Sequence, residues 1–501
     1  MRVNRAVYIP PDMNDTPFFR PWLHRLAPMG CRTAQAVARV RSLTLCQLEN
    51  CFGKWLPEDL FPKAREKVNS RDRDYTRSRT FWCSLWQSFN PGASGREVVR
   101  QLQALFVLEG GPQLSEEDGA YCRARARLPL EEFPKALAAT AKFADQLVPA
   151  PSFLKARPLK AADGTALTLL ADTQKNREAY PPIQCQAGQP SFPMMRVVVL
   201  FSLLSGAILA AAQGSLVVSE LSLLAQLGAE LIKGDILIGD RGFGSYPVIA
   251  WLLNILGVDF IGRTTRRVDG RRRLKRLGHN DWLVRWKKGA SPSPWMTLLQ
   301  WQGLPDTMTL RAVKGSLYRK GFRVRQATII TTLLDPLEYP AEQILEAYLR
   351  RWRLEMCLDD LKTTLGMESL RSRSPQMAQK DLFTRLIAHN LVRCTMAQTA
   401  AEHHVPLDRI SFKGSLDALR QFIHAMAQAK SKNKRQLLWE ELLRTLAADL
   451  VPERPGRREP RAVKRKKNKY PRLKGSRHKF RDHLKREDRR KLSRLRKLGL
   501  M

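Results

Sequence analysis

The spacing of apolar residues predicts helices in the first part of the chain and strands in the part that follows. In residues 1–150, apolar positions recur at helical spacing in runs such as REVVRQLQALFVLEG, and Asn-Pro-Gly and Gly-Gly-Pro turn signals separate these runs. In residues 151–263, short continuous apolar runs such as DILIG and VDFIG are typical of buried strands. We therefore expect a helical region followed by an α/β core.

The most apolar stretch, residues 197–218, predicts a buried hairpin rather than a membrane span. A turn signal at Ser205-Gly206 interrupts the run, which also contains Gln213 and several serines. The residues after Met1 lack the pattern of a signal peptide. No membrane partner is expected.

Residues 264–335 alternate apolar and polar side chains in runs such as WLVRW, which predicts a mostly β segment. Helical spacing returns after Pro340 and continues to Leu365, which predicts one amphipathic helix. Two more helices are predicted at residues 381–404 and 415–429.

Four polar side chains on the helix after Pro340 are predicted to face the same way. Tyr348, Arg351, Glu355 and Lys362 stand at offsets 0, 3, 7 and 14, and at about 100° per residue these offsets fall within one stripe of the helix surface. The ordinary explanation is a solvated ion pair between Arg351 and Glu355. A shared chemical role is the alternative.

The composition adds a strong positive charge. The chain has 501 residues, and 86 Lys and Arg against 47 Asp and Glu give a net charge of +39. Nucleic acid is the favoured partner because no basic amphipathic helix lies beside a membrane anchor. Residues 451–501 contain 22 Lys and Arg against 5 Asp and Glu. Such a segment forms no core, and it either binds phosphates or serves as a solubilising tail.

Eight cysteines are scattered along the chain without a CxxC pair or a paired Cys/His spacing. This distribution argues against structural zinc and against a disulfide framework. It is consistent with a reducing cytoplasm.

The helix stripe has the form Y-x2-R-x3-E-x6-K, and it resembles at all four positions the signature of the IS4 family of bacterial insertion-sequence transposases. The resemblance implies that Glu355 is the third carboxylate of a DDE metal site. It also implies that Tyr348, Arg351 and Lys362 contact the DNA backbone near the cleaved end.

Two upstream blocks extend this resemblance. The run KAADGTALTLLADTQKNREAYP resembles the family block that contains the first metal Asp, here Asp163, and DILIGDRGFG resembles the block that contains the second, Asp240, followed by Arg241 as a DNA contact. Alternatives remain for each residue. Asp163 also suits a hairpin turn, Asp172 competes with it as a ligand, and Asp240 suits a helix cap.

The family also has a β insertion between the second Asp and the Glu, where a tryptophan stacks on a base flipped from a hairpin intermediate. Residues 264–335 lie at the same point and carry four tryptophans, which are Trp282, Trp286, Trp295 and Trp301. Most tryptophans of a small β domain are core residues. Trp295, in a Ser/Pro turn, is the one we expect to be exposed and to contact DNA.

The helical region offers further candidate DNA contacts. The run LSEEDGAYCRARARLP resembles a family stretch ahead of the catalytic core, and its three arginines either grip the transposon end or form a solvated face. The same two interpretations apply to four arginines nearby, which are Arg71, Arg73, Arg77 and Arg79.

Together, the patterns and the resemblance predict an α/β protein with a ribonuclease H-like catalytic core. The expected divisions are a helical N-terminal DNA-binding domain at 1–150, the core at 151–263 and 336–430, a β-rich insertion domain at 264–335, and a basic C-terminal region at 431–501.

The resemblance implies a DDE transposase that acts by cut and paste on double-stranded DNA. Oxygen ligands without Cys or His suit two Mg²⁺ or Mn²⁺ ions. A homodimer on paired transposon ends and a nucleoid-associated location in the cytoplasm are expected. The alternatives are a ribonuclease H-like nuclease without strand transfer and a transposase-derived DNA-binding protein.

Overall fold

The computed structural model describes eight stretches of the chain, which are residues 48–60, 74–108, 113–182, 192–264, 273–317, 325–429, 431–452 and, near the C-terminus, 486 with 488–496. The predicted basic tail lies largely outside these residues, as do Arg71 and Arg73.

Helices dominate the first described region, as the apolar spacing predicts. The five helices are α1 (Leu48–Phe52), α2 (Arg77–Phe89), α3 (Gly95–Leu108), α4 (Gly119–Arg127) and α5 (Glu132–Gln146). Thr76 caps α2, since its side chain accepts a hydrogen bond from the backbone N–H of Arg79.

One large mixed sheet forms the centre of the molecule. Its strands, in chain order, are β1 (Leu159–Leu167), β3 (Met195–Ser202), β4 (Ile208–Ser215), β5 (Ile236–Gly239), β6 (Asp259–Arg263), β7 (Arg273–Gly278), β8 (Asp281–Lys287), β9 (Thr307–Leu317) and β10 (Arg325–Thr331). The spatial order is β4-β3-β1-β5-β6-β10-β9-β8-β7. Strands β1, β5 and β6 run parallel, and every other neighbouring pair is antiparallel.

The predicted buried strands are confirmed. The apolar run at 197–218 forms the antiparallel pair β3 and β4, with a turn at Gly206 in a left-handed conformation (φ 76°). A second, two-stranded sheet joins β2 (Leu169–Leu170) to β11 (Ser369–Leu370) in parallel.

Helices α6 (Gln174–Ala179), α7 (Glu220–Gln226), α8 (Tyr246–Trp251) and α9 (Leu298–Gln302) lie between the strands along the chain. The segment after β10 is helical and contains α10 (Ala341–Arg350), α11 (Trp352–Asp359), α12 (Pro375–His403), α13 (Phe412–Gln428) and α14 (Lys432–Ala448). The helices predicted at 381–404 and 415–429 are therefore confirmed as parts of α12 and α13.

The central sheet has a hydrophobic core on each face. Alternate residues such as Ala161 of β1 belong to a core that also contains Ile344 of α10 and Leu354 of α11. The residues between them, such as Ala162, belong to a second core with Leu223 of α7. The alternation of side chains along β1 thus sorts its residues between two separate layers.

The insertion strands are not a sheet of their own. Strand β10 pairs with β6, so β7 to β10 extend the central sheet. Apolar alternation predicts strands but not their partners, so this pairing was not part of the prediction. The division into a core and an insertion domain remains a prediction.

A buried ion pair attaches the insertion strands to the segment before α10. Arg311 of β9 is fully buried and donates to both carboxylate oxygens of Asp281, at 2.6 to 3.1 Å. Its other terminal nitrogen donates to the backbone oxygens of Tyr339 at 2.6 Å and Asp335 at 3.3 Å. The guanidinium is therefore held on both sides.

The helix expected from Pro340 to Leu365 is divided. Helix α10 ends at Arg350 and α11 begins at Trp352, with short i to i+3 hydrogen bonds on either side of Arg351. The last turn, Asp360–Thr364, is π-helical. The expectation of one regular helix is wrong in this detail, and such irregular turns within helices are common at functional sites.

None of the helices in the described ranges is long and apolar enough to cross a membrane.

Candidate active site

Asp163 of β1 and Asp240, the residue directly after β5, are level with each other across two neighbouring parallel strands. Strands β1 and β5 pair with Ala161 opposite Ile238. Two residues further along, the same register brings Asp163 level with Asp240, and neighbouring strands are about 4.8 Å apart. Both side chains have the same alternation as Ala161 and Ile238, so they point to the face covered by α10 and α11.

The environment of Asp163 disfavours its negative charge. Burial raises the pKa of its carboxyl to about 6, although a hydrogen bond from Gly164 N (2.8 Å) and the charge of Arg351 act in the opposite direction. The carboxylates of Asp240 and Glu355 raise the pKa further. The three acidic side chains are therefore electrostatically coupled, and we call them the carboxylate cluster.

The segment from α10 to α11 carries Glu355 and two more polar groups of this cluster, Tyr348 and Arg351. Arg351 Nη2 donates to Glu355 Oε1 at 2.9 Å, and the guanidinium carbon lies 5.7 Å from the centre of the Tyr348 ring. Burial raises the pKa of Tyr348, and the charges of Arg351 and Arg263 lower it. Arg351 Nε is buried, and it has no hydrogen-bond partner among the described residues. The guanidinium is therefore only partly satisfied.

Arg263 is a residue of this cluster that the sequence reasoning missed. Gly239 of β5 pairs with Gly262 of β6, so the next residues, Asp240 and Arg263, are level with each other. Gly244 allows this arrangement, because a Cβ at that position would lie 2.1 Å from the backbone oxygen of Arg263. The available signal was an Arg at the end of the buried run VDFIGR.

Lys362 and Arg241 lie at the margin of the cluster. Lys362 follows Glu355 by seven residues, on the π-helical turn, and is half-buried. This wider turn changes its direction from that expected for a regular helix. Arg241 is exposed in the turn after β5. Neither residue is among the groups that shift the pKa of Asp163.

Asp172, the competing candidate for the first metal ligand, has a different role in the structure. Its Oδ1 accepts a hydrogen bond from Arg177 Nε at 2.5 Å. Asp172 is not among the groups that shift the pKa of Asp163. The register of β1 and β5, which brings Asp163 level with Asp240, therefore favours Asp163 as the ligand.

Trp295 is not the exposed tryptophan that we expected. It is half-buried and packs edge-on against Trp251 of α8, with ring centres 5.6 Å apart. Its indole nitrogen is buried without a hydrogen-bond partner among the described residues. The Ser/Pro turn suggested exposure, but a side chain from a distant helix covers the ring. Trp286 and Trp301 are buried as well.

Two arginines of the helical region have structural partners. Arg125 of α4 forms a largely buried ion pair with Asp381 of α12, and Arg79, which is 2% exposed, donates to the backbone oxygen of Asp74. Arg123 and Arg127 are the two other arginines of the first group, and Arg123 is exposed. For Arg125 and Arg79, the interpretation as a solvated face is wrong, and their burial leaves little surface for DNA.

The donor set of the cluster suits a hard divalent cation. Asp163, Asp240 and Glu355 offer only carboxylate oxygens, the ligands that Mg²⁺ and Mn²⁺ prefer. Within the described residues, no group of three or more acidic, His or Cys side chains has a geometry ready to hold an ion. The chemistry of the three residues fits a metal, whereas their present spacing and the Arg351–Glu355 ion pair require a local rearrangement.

The comparisons with known proteins agree with this chemistry. Residues 156–391 match the family described as transposase DDE domain. The transposase InsG for insertion sequence element IS4 of Escherichia coli (strain K12) is 26% identical over 431 residues, which are 84% of this chain and 93% of that protein. The chain is therefore similar to DDE transposases over residues 156–391. Its similarity to the transposase of an IS4 element extends over most of its length.

Other relatives match a smaller part. The transposase for insertion sequence element IS421 of Escherichia coli is 28% identical over 186 residues, or 32% of this chain and 50% of that protein. A solved piggyBac transposase synaptic complex with hairpin DNA covers 85% of this chain and 89% of its own, with 11% identity and a TM-score of 0.38. A likeness of that size supports no argument about this chain.

Proposed function

We propose that this insertion-sequence transposase cuts its transposon ends with Asp163, Asp240 and Glu355 as the DDE triad and joins them to target DNA by cut and paste. The observation that carries the proposal is the register of β1 and β5, which brings Asp163 level with Asp240, while the charge of Glu355 also acts on Asp163. The three residues come from β1, the turn after β5, and α11, and up to 192 positions separate them in the chain (355 − 163).

We propose a ribonuclease H-like core for this catalysis. The order β4-β3-β1-β5-β6, with β1, β5 and β6 parallel, supports it. The proposed domains remain 1–150, 151–263 with 336–430, 264–335 and 431–501.

The three carboxylates would hold two Mg²⁺ or Mn²⁺ ions. Bound ions supply an activated water or 3′-hydroxyl and neutralise charge on the leaving oxygen. Glu355 would become a ligand only after its hydrogen bond with Arg351 loosens. Because burial, together with the charges of Asp240 and Glu355, raises the pKa of Asp163, a divalent cation would stabilise the ionised form of the cluster.

The cations around the cluster would position the DNA backbone. Arg351 has a buried Nε without a partner in the described part of the chain, so it can donate a second bond to a phosphate. Arg263 lies level with Asp240 and would act on the same strand. Tyr348, Lys362 and Arg241 are the remaining proposed contacts, in the order of their increasing exposure.

A hairpin intermediate, a homodimer on paired ends and a nucleoid-associated location in the cytoplasm complete the proposal. They rest on the family resemblance. If Trp295 stacks on a flipped base, its ring must first leave Trp251.

Cleavage and joining of a labelled duplex that carries the element's terminal inverted repeat test this proposal. With Mg²⁺ we expect both reactions from the wild type, neither from Asp163→Asn, and both from Asp172→Asn if that variant remains folded. Cleavage without joining would indicate a nuclease, and binding without either reaction a DNA-binding protein. Loss of activity in folded Asp172→Asn, but not in Asp163→Asn, would overturn the choice of ligand.

A further inference from the structure

An open groove of about 660 Å³ lies outside the carboxylate cluster, where α6 meets the start of α12. Its walls come from two chain segments, residues 173–178 and 373–377. The lining residues are Thr173, Gln174, Lys175, Glu178, Arg373, Ser374 and Met377. We call this feature the α6–α12 groove.

The two walls of the groove are held together by a set of hydrogen bonds. Strands β2 and β11 pair directly before the two walls, and Thr173 Oγ1 donates to the backbone oxygen of Arg373 at 3.0 Å. The fully buried Asn176 bridges the same segments through its Nδ2, which donates to Ala171 O and Ser372 O at 2.9 Å each. The groove is therefore a preformed feature of the fold.

Two basic side chains of the groove have no acidic partner in the described part of the chain. Lys175 and Arg373 are exposed, and neither forms an ion pair within 4 Å among the described residues. The neighbouring Arg177, by contrast, is paired with Asp172. The one acidic lining residue, Glu178, accepts a hydrogen bond from Gln174. The free positive charges make an anion the expected occupant.

The position of the groove relates it to the carboxylate cluster. Strand β1 continues for four residues beyond Asp163 to Leu167, and β2 follows at once. At about 3.3 Å per residue, Leu170 lies within roughly 23 Å of Asp163. The second wall follows α11 and its π-helical turn along the chain. Each wall thus continues an element that carries a proposed metal ligand.

We infer that the α6–α12 groove binds the phosphate backbone of the transposon end, on the side of the cleavage point that remains with the element. This inference rests on the proposed function. One strand of a duplex carries a phosphate about every 3.4 Å, so this bound of about 23 Å corresponds to roughly six to seven nucleotides. Lys175 and Arg373 contact phosphates there and set the register of the end relative to Asp163.

The test measures binding of the terminal-repeat duplex by the full chain carrying Glu355→Gln, which prevents cleavage. The groove variant is Lys175→Ala with Arg373→Ala. The matched control is Lys142→Ala with Lys434→Ala, which removes two exposed cations from α5 and α14. We expect about tenfold weaker binding by the groove variant, and a plot of log affinity against log salt whose slope is lower by about two. The control pair should change neither quantity.

Neutral methylphosphonate groups, placed singly along the duplex, locate the contact. A methylphosphonate placed roughly six nucleotides inside the end should weaken binding by the Glu355→Gln parent severalfold. The same substitution should have no effect on binding by the groove variant. A persistent effect in the groove variant, or equal binding by groove and control variants, would overturn the inference. The double variant Lys175→Arg with Arg373→Lys retains both positive charges, so we expect it to bind like the parent protein. This comparison separates loss of charge from misfolding in the alanine variant.

Cleavage by the wild type separates this inference from the proposed function. If the wild type cleaves and joins but the methylphosphonate pattern is absent, only the groove is excluded. If the pattern is present but no divalent cation supports cleavage, the proposed catalysis fails and the groove remains.

Discussion

Two arginine–carboxylate pairs in this protein have opposite characters. Arg311 and Asp281 are both buried, and the guanidinium reaches two carboxylate oxygens and two backbone oxygens. Arg351 and Glu355 share one hydrogen bond, the side chain of Glu355 is 39% exposed, and Arg351 Nε is buried without a partner in the described residues. The first pair is complete, whereas the second retains unused hydrogen-bonding capacity.

This contrast separates a structural ion pair from one that is poised for a ligand. A buried polar group without a partner is costly, so folded proteins keep few of them, and they are common at functional sites. At Arg351 the unused donor lies beside three carboxylates that repel one another. A DNA phosphate would accept the unused hydrogen bond of Arg351, and a divalent cation would reduce the repulsion among the three carboxylates. The substitutions below test the contrast in order of decreasing expected effect.

The largest effect is expected for Glu355→Gln. Loss of a metal ligand should reduce Mg²⁺-dependent strand cleavage by about 10⁴-fold, or about 5.5 kcal/mol in the activation free energy. The labelled-end cleavage assay measures this change. Glu346→Gln is the matched control, because Glu346 forms an exposed ion pair with Arg350 two turns earlier. Equal losses in both variants would show that Glu355 has no special role.

Arg311→Ala should affect stability rather than chemistry. Removing one partner leaves the carboxylate of Asp281 buried and unpaired, which should lower the free energy of unfolding by about 3–5 kcal/mol. Urea denaturation measures the change. Arg350→Ala should cost less than about 1 kcal/mol, since its pair is exposed. The double variant Asp281→Leu with Arg311→Met should recover much of the loss, and a failure to do so would count against the buried-charge explanation.

Asp360, an acidic residue outside the proposed triad, extends the comparison, because its buried carboxyl makes the stability of the fold depend on pH. Burial raises its pKa to about 7, although the charge of Arg393 acts against this rise. Between about pH 4 and 7 the unfolded chain is ionised at this position and the folded chain is protonated. The folded state therefore loses stability as pH rises through this window.

The variant Asp360→Asn removes that dependence. At pH 8 we expect it to be about 4 kcal/mol more stable than the wild type, and at pH 4 to be close to it. Urea denaturation at several pH values measures the difference. The charge of the exposed neighbour Asp359 also raises the pKa of Asp360, so Asp359→Asn should change the pH profile in the same direction but by much less. An Asp360→Asn profile parallel to that of the wild type would contradict the shifted pKa.

The smallest effect is expected for Arg351→Lys, which retains the charge but loses the planar fork. Affinity for the transposon end should fall by about tenfold, and stability should change by less than about 1 kcal/mol. Fluorescence anisotropy with labelled duplex measures the affinity. If unfolding is affected more strongly than binding, then Arg351 is a structural residue like Arg311.

The sequence was sufficient wherever local pattern determines the outcome. The run DILIG predicts strand β5 because only apolar residues suit a strand buried on both faces. Asp240 follows it at the end of the strand, where ligands of α/β proteins bind. The stripe of Tyr348, Arg351 and Glu355 needed only helical spacing.

What the sequence did not predict depends on pairing between distant segments. Arg263 joins the cluster through the register of β5 and β6, and register is not visible in apolar spacing. Trp295 is covered by Trp251, and Arg125 is paired with Asp381, a residue 256 positions away. The break at Arg351 also escaped prediction, because apolar periodicity continues across it.

The pairing of β10 with β6 limits how this enzyme can be shortened. An excision of residues 264–335 would expose the edge of β6, where Ile261, Gly262 and Arg263 now bond to β10. An uncovered strand of this kind recruits other chains and leads to aggregation. A minimal enzyme would therefore need a substitute strand at this position, such as a short β-hairpin, before its catalytic centre could be studied in isolation.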